Sequence, residues 1–140
     1  MANKLVMQDI FAGLAVGNAK AFYEGLAEDV RWTITGTSAW SKLYDGKPAV
    51  LELLASLAAQ FAGRYRGTPR RFIAEGDHVV VEYRGEVTTT AGQPYHNEYC
   101  CIYRLANGKI SEITEYCDTE LIANTLAPPP FVGSDRAGIF

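Results

Sequence analysis

The first half of the chain places its apolar residues at helical spacing. Within residues 5–26 these residues are Ile10, Leu14, Ala21 and Phe22. Gly17-Asn18 interrupts them, so the pattern predicts two amphipathic helices that share a sharp joint. A further helix is predicted over residues 49–61, where a wide apolar stripe follows Pro48, a residue suited to a first helical turn.

The second half of the chain changes to a period of two. Residues 30–34 already alternate in this way and predict a short strand. Longer strands are predicted over residues 70–74, 78–88, 95–105 and 110–119. Turn residues at 75–77 and Asn107-Gly108 separate them and indicate an antiparallel meander. Helices followed by strands predict an α+β fold with a mostly antiparallel sheet.

The turn at Asn107-Gly108 decides which side chains share a face. It is either a two-residue turn or, with Ala106, a three-residue loop with Gly108 left-handed, and a shift of one residue exchanges the faces. The three-residue loop segregates apolar from charged positions better, and we adopt it. It places Asn97, Tyr99, Cys101 and Tyr103 beside Ile113, Glu115 and Cys117. Glu115 is then a carboxylate on the apolar face.

Length and charge restrict the class of protein. A chain of 140 residues with a hydrophobic share of 48% predicts one domain, residues 1–140. The net charge of -3 argues against nucleic acid and anionic membrane surfaces as partners. Neither a run of about 18 apolar residues nor a secretory signal is evident, so we expect a cytoplasmic protein. The partner is expected to be a small molecule or a second copy of the chain.

The metal-binding residue types are sparse and scattered. The three cysteines lack CxxC spacing, and the two histidines, His78 and His96, lack partners at i+3 or i+4. We therefore predict free thiols, no metal site and no cofactor. The segment after residue 127 contains three consecutive prolines, which predict an irregular tail over the surface or a partner.

Several stretches together resemble the SnoaL-like, or NTF2-like, superfamily, which includes ketosteroid isomerases, polyketide cyclases and limonene epoxide hydrolases. The matching stretches are residues 22–32, 44–50, 92–95, 107–110 and 115–119. The resemblance implies a cone-shaped curved sheet with N-terminal helices enclosing an apolar pocket, and a homodimer through the open sheet face. The pocket residues it suggests are Trp32, Ile34, Trp40, Asn97, Tyr99, Cys101, Tyr103 and Ile113.

The resemblance excludes one activity of the superfamily. The aspartate base and the tyrosine and aspartate donors of ketosteroid isomerases fall on Ile34, Ile10 and Cys101. Isoleucine has no proton to transfer and a thiol is a weak donor. Steroid isomerisation by that mechanism is therefore not expected.

Two other activities leave candidate residues. The Arg-x-Asp and second aspartate of limonene epoxide hydrolases fall on Arg84, Glu86 and Glu115, and the acid of polyketide cyclases also falls on Glu115. A carboxylate pair with an arginine between them can move protons to and from water or carbon. The hydrolase residues that hold water fall on Trp32 and Ile34, so part of that site is missing.

Purely structural roles for these candidate residues stay open. Arg84 and Glu86 alternate with apolar residues, so they point either into the cone or into solvent. Glu115 either acts as a base or only pairs with Arg84, and Cys101 is expected to be inert. One hypothesis is an isomerase, hydrolase or cyclase using Glu115, Arg84 and Glu86 on a small apolar molecule. The alternative is a non-catalytic ligand-binding or scaffold homodimer.

Overall fold

The computed structural model describes residues 2–131 of the chain. Its helices within this range are α1 (Ala2–Leu14), α2 (Lys20–Gly25), α3 (Lys47–Ala58) and α4 (Thr119–Thr125). The predicted joint between the first two is confirmed: Gly17 lies between them with a positive φ of 78°, which glycine adopts without steric cost. Pro48 lies in the first turn of α3, as predicted.

The strands form one mixed sheet. They are β1 (Leu26–Ile34), β2 (Leu43–Asp45), β3 (Phe61–Glu75), β4 (His78–Thr89), β5 (Pro94–Ala106) and β6 (Lys109–Cys117). Their order across the sheet is β2-β1-β6-β5-β4-β3. The β1 and β6 strands run parallel and the other neighbours run antiparallel. The fold is therefore α+β with a curved, mostly antiparallel sheet, as predicted.

The turn between β5 and β6 differs from the predicted three-residue loop. Asn107 and Gly108 have φ values of 54° and 75°, and Ala106 pairs with Lys109 across them. Two consecutive residues with positive φ form the tight hairpin that matches the twist of the sheet. The three-residue loop is therefore wrong.

The predicted faces are nevertheless confirmed because a bulge follows the turn. The pairing of β5 with β6 skips Ser111, whose hydroxyl donates to the Arg104 carbonyl at 3.0 Å. One extra residue shifts the register by one position. Beyond the bulge Cys101 pairs with Glu115, and both side chains point to the inner, apolar face.

The end of the sheet also differs from the prediction. The last strand stops at Cys117, and Asp118 instead caps α4, since its carboxylate accepts a hydrogen bond from the Leu121 N–H at 3.1 Å. The segment between the predicted strand at residues 30–34 and the predicted helix at 49–61 contains β2, for which no strand was predicted, and β3 begins before the predicted residue 70.

The helices cover the inner face of the sheet. Phe11 of α1 is fully buried, with its ring centroid 4.8 Å from that of Tyr83 and 5.9 Å from that of Phe72. None of the helices in residues 2–131 has the length and hydropathy of a membrane span. Phe131, the last described residue, packs edge-on against Trp40 and Tyr44, and the predicted tail beyond it lies outside the described residues.

Candidate functional site

A cavity of about 310 Å³ lies between the inner face of the sheet and the helices. Most of its wall is apolar or aromatic. The lining residues that carry the following argument are Trp32, Ile34, Trp40, Leu57, Tyr65, Tyr83, Tyr95, Tyr99, Tyr103 and Glu115. Among the described lining residues only Glu115 and Arg64 carry charge, and Arg64 is exposed at the rim. Such a cavity suits a small apolar molecule with few polar groups.

Glu115 brings a carboxyl group into this apolar wall. It lies on β6 opposite Cys101, is 6% exposed, and forms no ion pair within residues 2–131. Burial raises the pKa of Glu115 to about 7, because the charged form loses its hydration. Both protonation states are therefore populated near neutral pH.

Two neighbours moderate this effect. The Cys117 thiol donates a hydrogen bond to Glu115 Oε2 at 3.6 Å, and the nearby Trp32 indole also favours the carboxylate; both lower the pKa of Glu115. Trp32 Nε1 nevertheless has no partner within hydrogen-bonding geometry among the described residues. The Cys117 thiol is the neighbour that has hydrogen-bonding geometry to the carboxyl group.

The tyrosine hydroxyls form a second polar feature of the cavity. Tyr95 accepts hydrogen bonds from Asn97 Nδ2 at 3.0 Å and from the Tyr99 hydroxyl at 3.4 Å. Burial raises the pKa of Tyr95 to about 12, and burial also raises the pKa of Tyr99 well above its usual range. These phenols are therefore neutral at physiological pH and act as hydrogen-bonding groups.

Asn97 connects this pair to the helix that borders the cavity. Its side chain, 1% exposed, accepts from the Asp118 N–H at 3.0 Å and donates to the Asp118 carbonyl at 3.2 Å. Asp118 in turn caps α4, whose Ile122 lines the cavity. The position of the Tyr95 hydroxyl is thus tied to the start of α4.

Tyr65 enters the cavity through an irregular part of β3. The pairing with β4 passes from Ala62 opposite Thr88 to Arg66 opposite Glu86, so the residues between them bulge. The Tyr65 ring lies over Gly85, where a Cβ atom would be 2.6 Å from Tyr65 Cζ. The absence of a side chain at Gly85 makes room for this wall of the cavity.

The segment after α4 closes another side of the cavity. The side-chain amide of Gln60 makes two hydrogen bonds with the backbone of Ala127. Its oxygen accepts from the Ala127 N–H at 2.8 Å, and its nitrogen donates to the Ala127 carbonyl at 3.1 Å. Trp40 Nε1 donates to the same carbonyl at 3.1 Å. These bonds hold Leu126, a lining residue, against the cavity.

Comparison with known proteins agrees with this geometry. The SnoaL-like domain matches residues 7–113, which is most of the chain. The chain belongs to the SnoaL-like domain family. No curated protein matches it.

Solved structures share the fold of this SnoaL-like chain. An NTF2-like protein of unknown function from Burkholderia pseudomallei K96243 has 22% identity and a TM-score of 0.76, covering 91% of this chain and 99% of its own. TerC co-crystallised with polyporic acid has 24% identity and a TM-score of 0.74, with 89% and 97% covered. A structure from Jannaschia sp. CCS1, described as a SnoaL-like polyketide cyclase, has 18% identity and a TM-score of 0.71, with 91% and 94% covered.

The residues suggested for the pocket divide into two groups. Trp32, Ile34, Trp40, Tyr99 and Tyr103 line the cavity. The others, Asn97, Cys101 and Ile113, are buried on the same face of the sheet without lining it. Their role in the SnoaL-like chain is to support the wall: the Cys101 thiol, for example, lies 3.7 Å from the Tyr83 hydroxyl.

Arg84 and Glu86 lie on the outer face of the sheet. Both side chains are about half exposed, and the Arg84 guanidinium is 3.8 Å from Glu86 and 3.9 Å from Glu98. The structure does not bring them together with Glu115, which points to the opposite face. The alternative ion pair between Glu115 and Arg84 therefore does not form. Successive residues of a strand point to opposite faces, so Tyr83 points to the inner face with Glu115 while Arg84 points to the outer face.

Several residues of the cavity wall were not predicted from the sequence. Tyr65, Tyr83 and Tyr95 occupy it, and Ile122 belongs to a helix that was not predicted. The alternation in β4 and β5 could have placed Tyr83 and Tyr95, since they share the parity of Val81 and Tyr99. Tyr65 had no such signal, because a bulge interrupts the period.

The described residues offer no group of three or more histidine, cysteine, aspartate or glutamate side chains suited to a metal ion. The cysteines are free, and burial raises the pKa of Cys101 well above its usual range. The polar groups in the interior of the described cavity wall include the Glu115 carboxyl, the unpartnered Trp32 indole N–H and neutral phenols.

Proposed function

We propose that this SnoaL-like chain binds a small apolar molecule in the cavity and transfers protons on it, with Glu115 as the base. The observation that carries the proposal is a buried carboxyl group with a pKa of about 7, set in an aromatic wall without a counter-ion in residues 2–131. A base is most effective when its pKa lies near the operating pH, because it is then substantially ionised and still basic.

The reaction class is isomerisation, hydrolysis or cyclisation. Each begins when a carboxylate removes a proton from carbon or from an attacking water, and each ends when the same group returns a proton. The likeness to a structure described as a polyketide cyclase supports this choice, and the structure of TerC with polyporic acid supports the binding of a small molecule. Arg84 and Glu86 are not part of the proposed site, since they lie on the outer face.

The first test measures proton removal directly. The probe is 2-acetylnaphthalene, an apolar ketone, incubated with the protein in deuterated buffer near neutral pH. Deuterium entering its methyl group, followed by proton NMR, reports removal of an α-proton whatever reaction would follow. We expect the protein to accelerate this exchange and Glu115→Gln to lower the rate by about 10² to 10⁴.

The matched control is Glu112→Gln. Glu112 lies on the same strand but on the outer face, where it pairs with Arg104 at 2.8 Å. This variant should keep the full exchange rate. Unchanged exchange in Glu115→Gln would refute the proposal, while binding of the ketone without any exchange would favour the non-catalytic alternative.

We also propose a homodimer through the open outer face of the sheet. A row of residues crosses four strands there in register: Ile73, Val80, Ile102 and Thr114. Ile73 is 53% exposed, which leaves apolar area that a second copy would cover. Sedimentation should give a particle of twice 15.3 kDa, and Ile73→Arg should give 15.3 kDa; a wild-type monomer at micromolar concentration would contradict the dimer.

A further inference from the structure

The two tryptophans of the chain differ in how their indole N–H groups are used. Trp40 Nε1 donates to the Ala127 carbonyl at 3.1 Å. Trp32 is 7% exposed and lines the cavity, yet its Nε1 has no hydrogen-bond partner among the described residues. An indole N–H only donates, and a buried donor without an acceptor costs free energy. Trp32 therefore offers an unused donor in the wall of the cavity.

The position of Trp32 relates this donor to the proposed base. On β1 Trp32 pairs with Ile113, and Ile34 pairs with Glu115, so the indole and the carboxyl belong to adjacent parallel strands on the same face. The Glu115 carboxyl accepts a hydrogen bond from Cys117 Sγ at 3.6 Å, and the Trp32 indole lies near the carboxyl without hydrogen-bonding geometry. A ligand atom near Glu115 would thus also meet the indole.

We infer that the ligand is a carbonyl compound whose oxygen accepts a hydrogen bond from Trp32 Nε1. This inference rests on the proposed function for its location. A carbonyl oxygen is an acceptor, as the indole requires. It is also uncharged, as suits a wall whose described charged groups are Glu115 and the exposed Arg64. An anionic ligand would instead be repelled by the ionised Glu115.

The same contact would assist the chemistry. When the Glu115 carboxylate takes the α-proton, the C–H electron pair becomes the carbon–carbon double bond of an enolate and the negative charge moves to the carbonyl oxygen. Trp32 would hold that oxygen while the charge develops, and the protonated Glu115 would then return the proton to carbon. A donor aimed at the growing charge stabilises the transition state more than the ground state.

The binding test uses a ligand pair of the same shape. 2-Acetylnaphthalene carries the carbonyl, and 2-isopropenylnaphthalene replaces its oxygen with a CH₂ group. Their dissociation constants are measured by equilibrium dialysis for the wild type and for Trp32→Phe, which keeps an aromatic ring but removes the N–H. We expect the ketone to bind about 10-fold more weakly to Trp32→Phe, while binding of the alkene changes less than about 2-fold.

The alkene serves as the control for the shape of the cavity. If both ligands weaken equally, Trp32 acts by packing and the inference is overturned. If neither changes, the N–H does not meet the ligand and the inference also fails. In the exchange assay, Trp32→Phe should lower the rate by about 10² to 10³, as loss of a donor to a developing oxyanion does.

The two proposals fail in distinguishable ways. Combined with Glu115→Gln, Trp32→Phe should still weaken binding of the ketone and leave binding of the alkene nearly unchanged. Binding does not require proton removal, so this ketone-selective loss should persist. If Trp32→Phe does not selectively weaken binding of the ketone, while deuterium exchange still depends on Glu115, only the role of Trp32 is refuted. If Trp32→Phe selectively weakens binding of the ketone, but the wild type does not accelerate deuterium exchange, the proposed catalysis is refuted and the carbonyl contact is supported.

Discussion

The phenol ring of Tyr65 lies directly over the backbone of Gly85. A Cβ atom at Gly85 would overlap the Tyr65 hydroxyl and lie 2.6 Å from Tyr65 Cζ. The bulge that aims Tyr65 inward and the glycine that receives it are on adjacent strands, β3 and β4. This wall of the cavity therefore depends on a pair of residues rather than on either one.

Gly85→Ala should displace Tyr65 and lower the free energy of unfolding by about 1 to 3 kcal/mol, the usual cost of overpacking. Gly67 provides a matched control, since it pairs directly with Gly85 and its added Cβ would meet Leu14 and Tyr83 at ordinary contact distances of 3.6 Å. Urea denaturation should show little loss in Gly67→Ala. Equal losses in both variants would contradict the role of Tyr65, and adding Tyr65→Ala should partly rescue Gly85→Ala.

Glu115 should make the protein less stable as pH rises toward neutrality. Its pKa of about 7 exceeds the ordinary 4.5, so the folded state binds more protons between these values. The stabilisation is complete below pH 4.5 and is lost as pH rises through 7, with a total of about 3 kcal/mol at about 1.4 kcal/mol per pKa unit. Urea denaturation at pH 5 and pH 8 should show this drop in the wild type and not in Glu115→Gln, while Glu112→Gln keeps it.

Cys117→Ala should raise the pKa of Glu115. The thiol donates to Oε2 at 3.6 Å and thereby favours the charged carboxylate. Titration of the Glu115 side-chain carbon by NMR should show an upward shift in Cys117→Ala and a smaller change in Cys117→Ser, which keeps a donor. Cys100→Ala is the control, because Cys100 lies on the opposite face; a shift of the same size there would argue against the thiol contact.

Asn97→Ala should weaken the link between β5 and α4. The variant loses bonds to the Tyr95 hydroxyl and to both backbone groups of Asp118, and at roughly 1 kcal/mol each the free energy of unfolding should fall by about 3 kcal/mol. Asn124→Ala, on the exposed side of α4, should stay within about 0.5 kcal/mol of the wild type. Similar denaturation midpoints for the two variants would show that Asn97 does not connect these elements.

The sequence by itself determined the α+β class, the joint at Gly17 and the faces of β5 and β6. These follow from local periodicity and from backbone conformations that only certain residues adopt, so the alternating pattern alone puts Glu115 on the apolar face. It did not determine how the register is reached. A tight turn at Asn107-Gly108 and a bulge at Ser111 together give the same faces as the predicted longer loop.

The tertiary structure decided the make-up of the site. Whether Arg84 shares a face with Glu115 depends on the register between β4, β5 and β6, which alternation within one strand does not fix. Tyr65 reaches the cavity through a bulge that has no periodic signal. The start of α4 is fixed by two hydrogen bonds of Asp118, whose N–H donates to Asn97 and whose carboxylate accepts from the Leu121 N–H. The unpartnered N–H of Trp32 is likewise a property of the packed cavity, since a missing partner is defined only when every neighbour is in place.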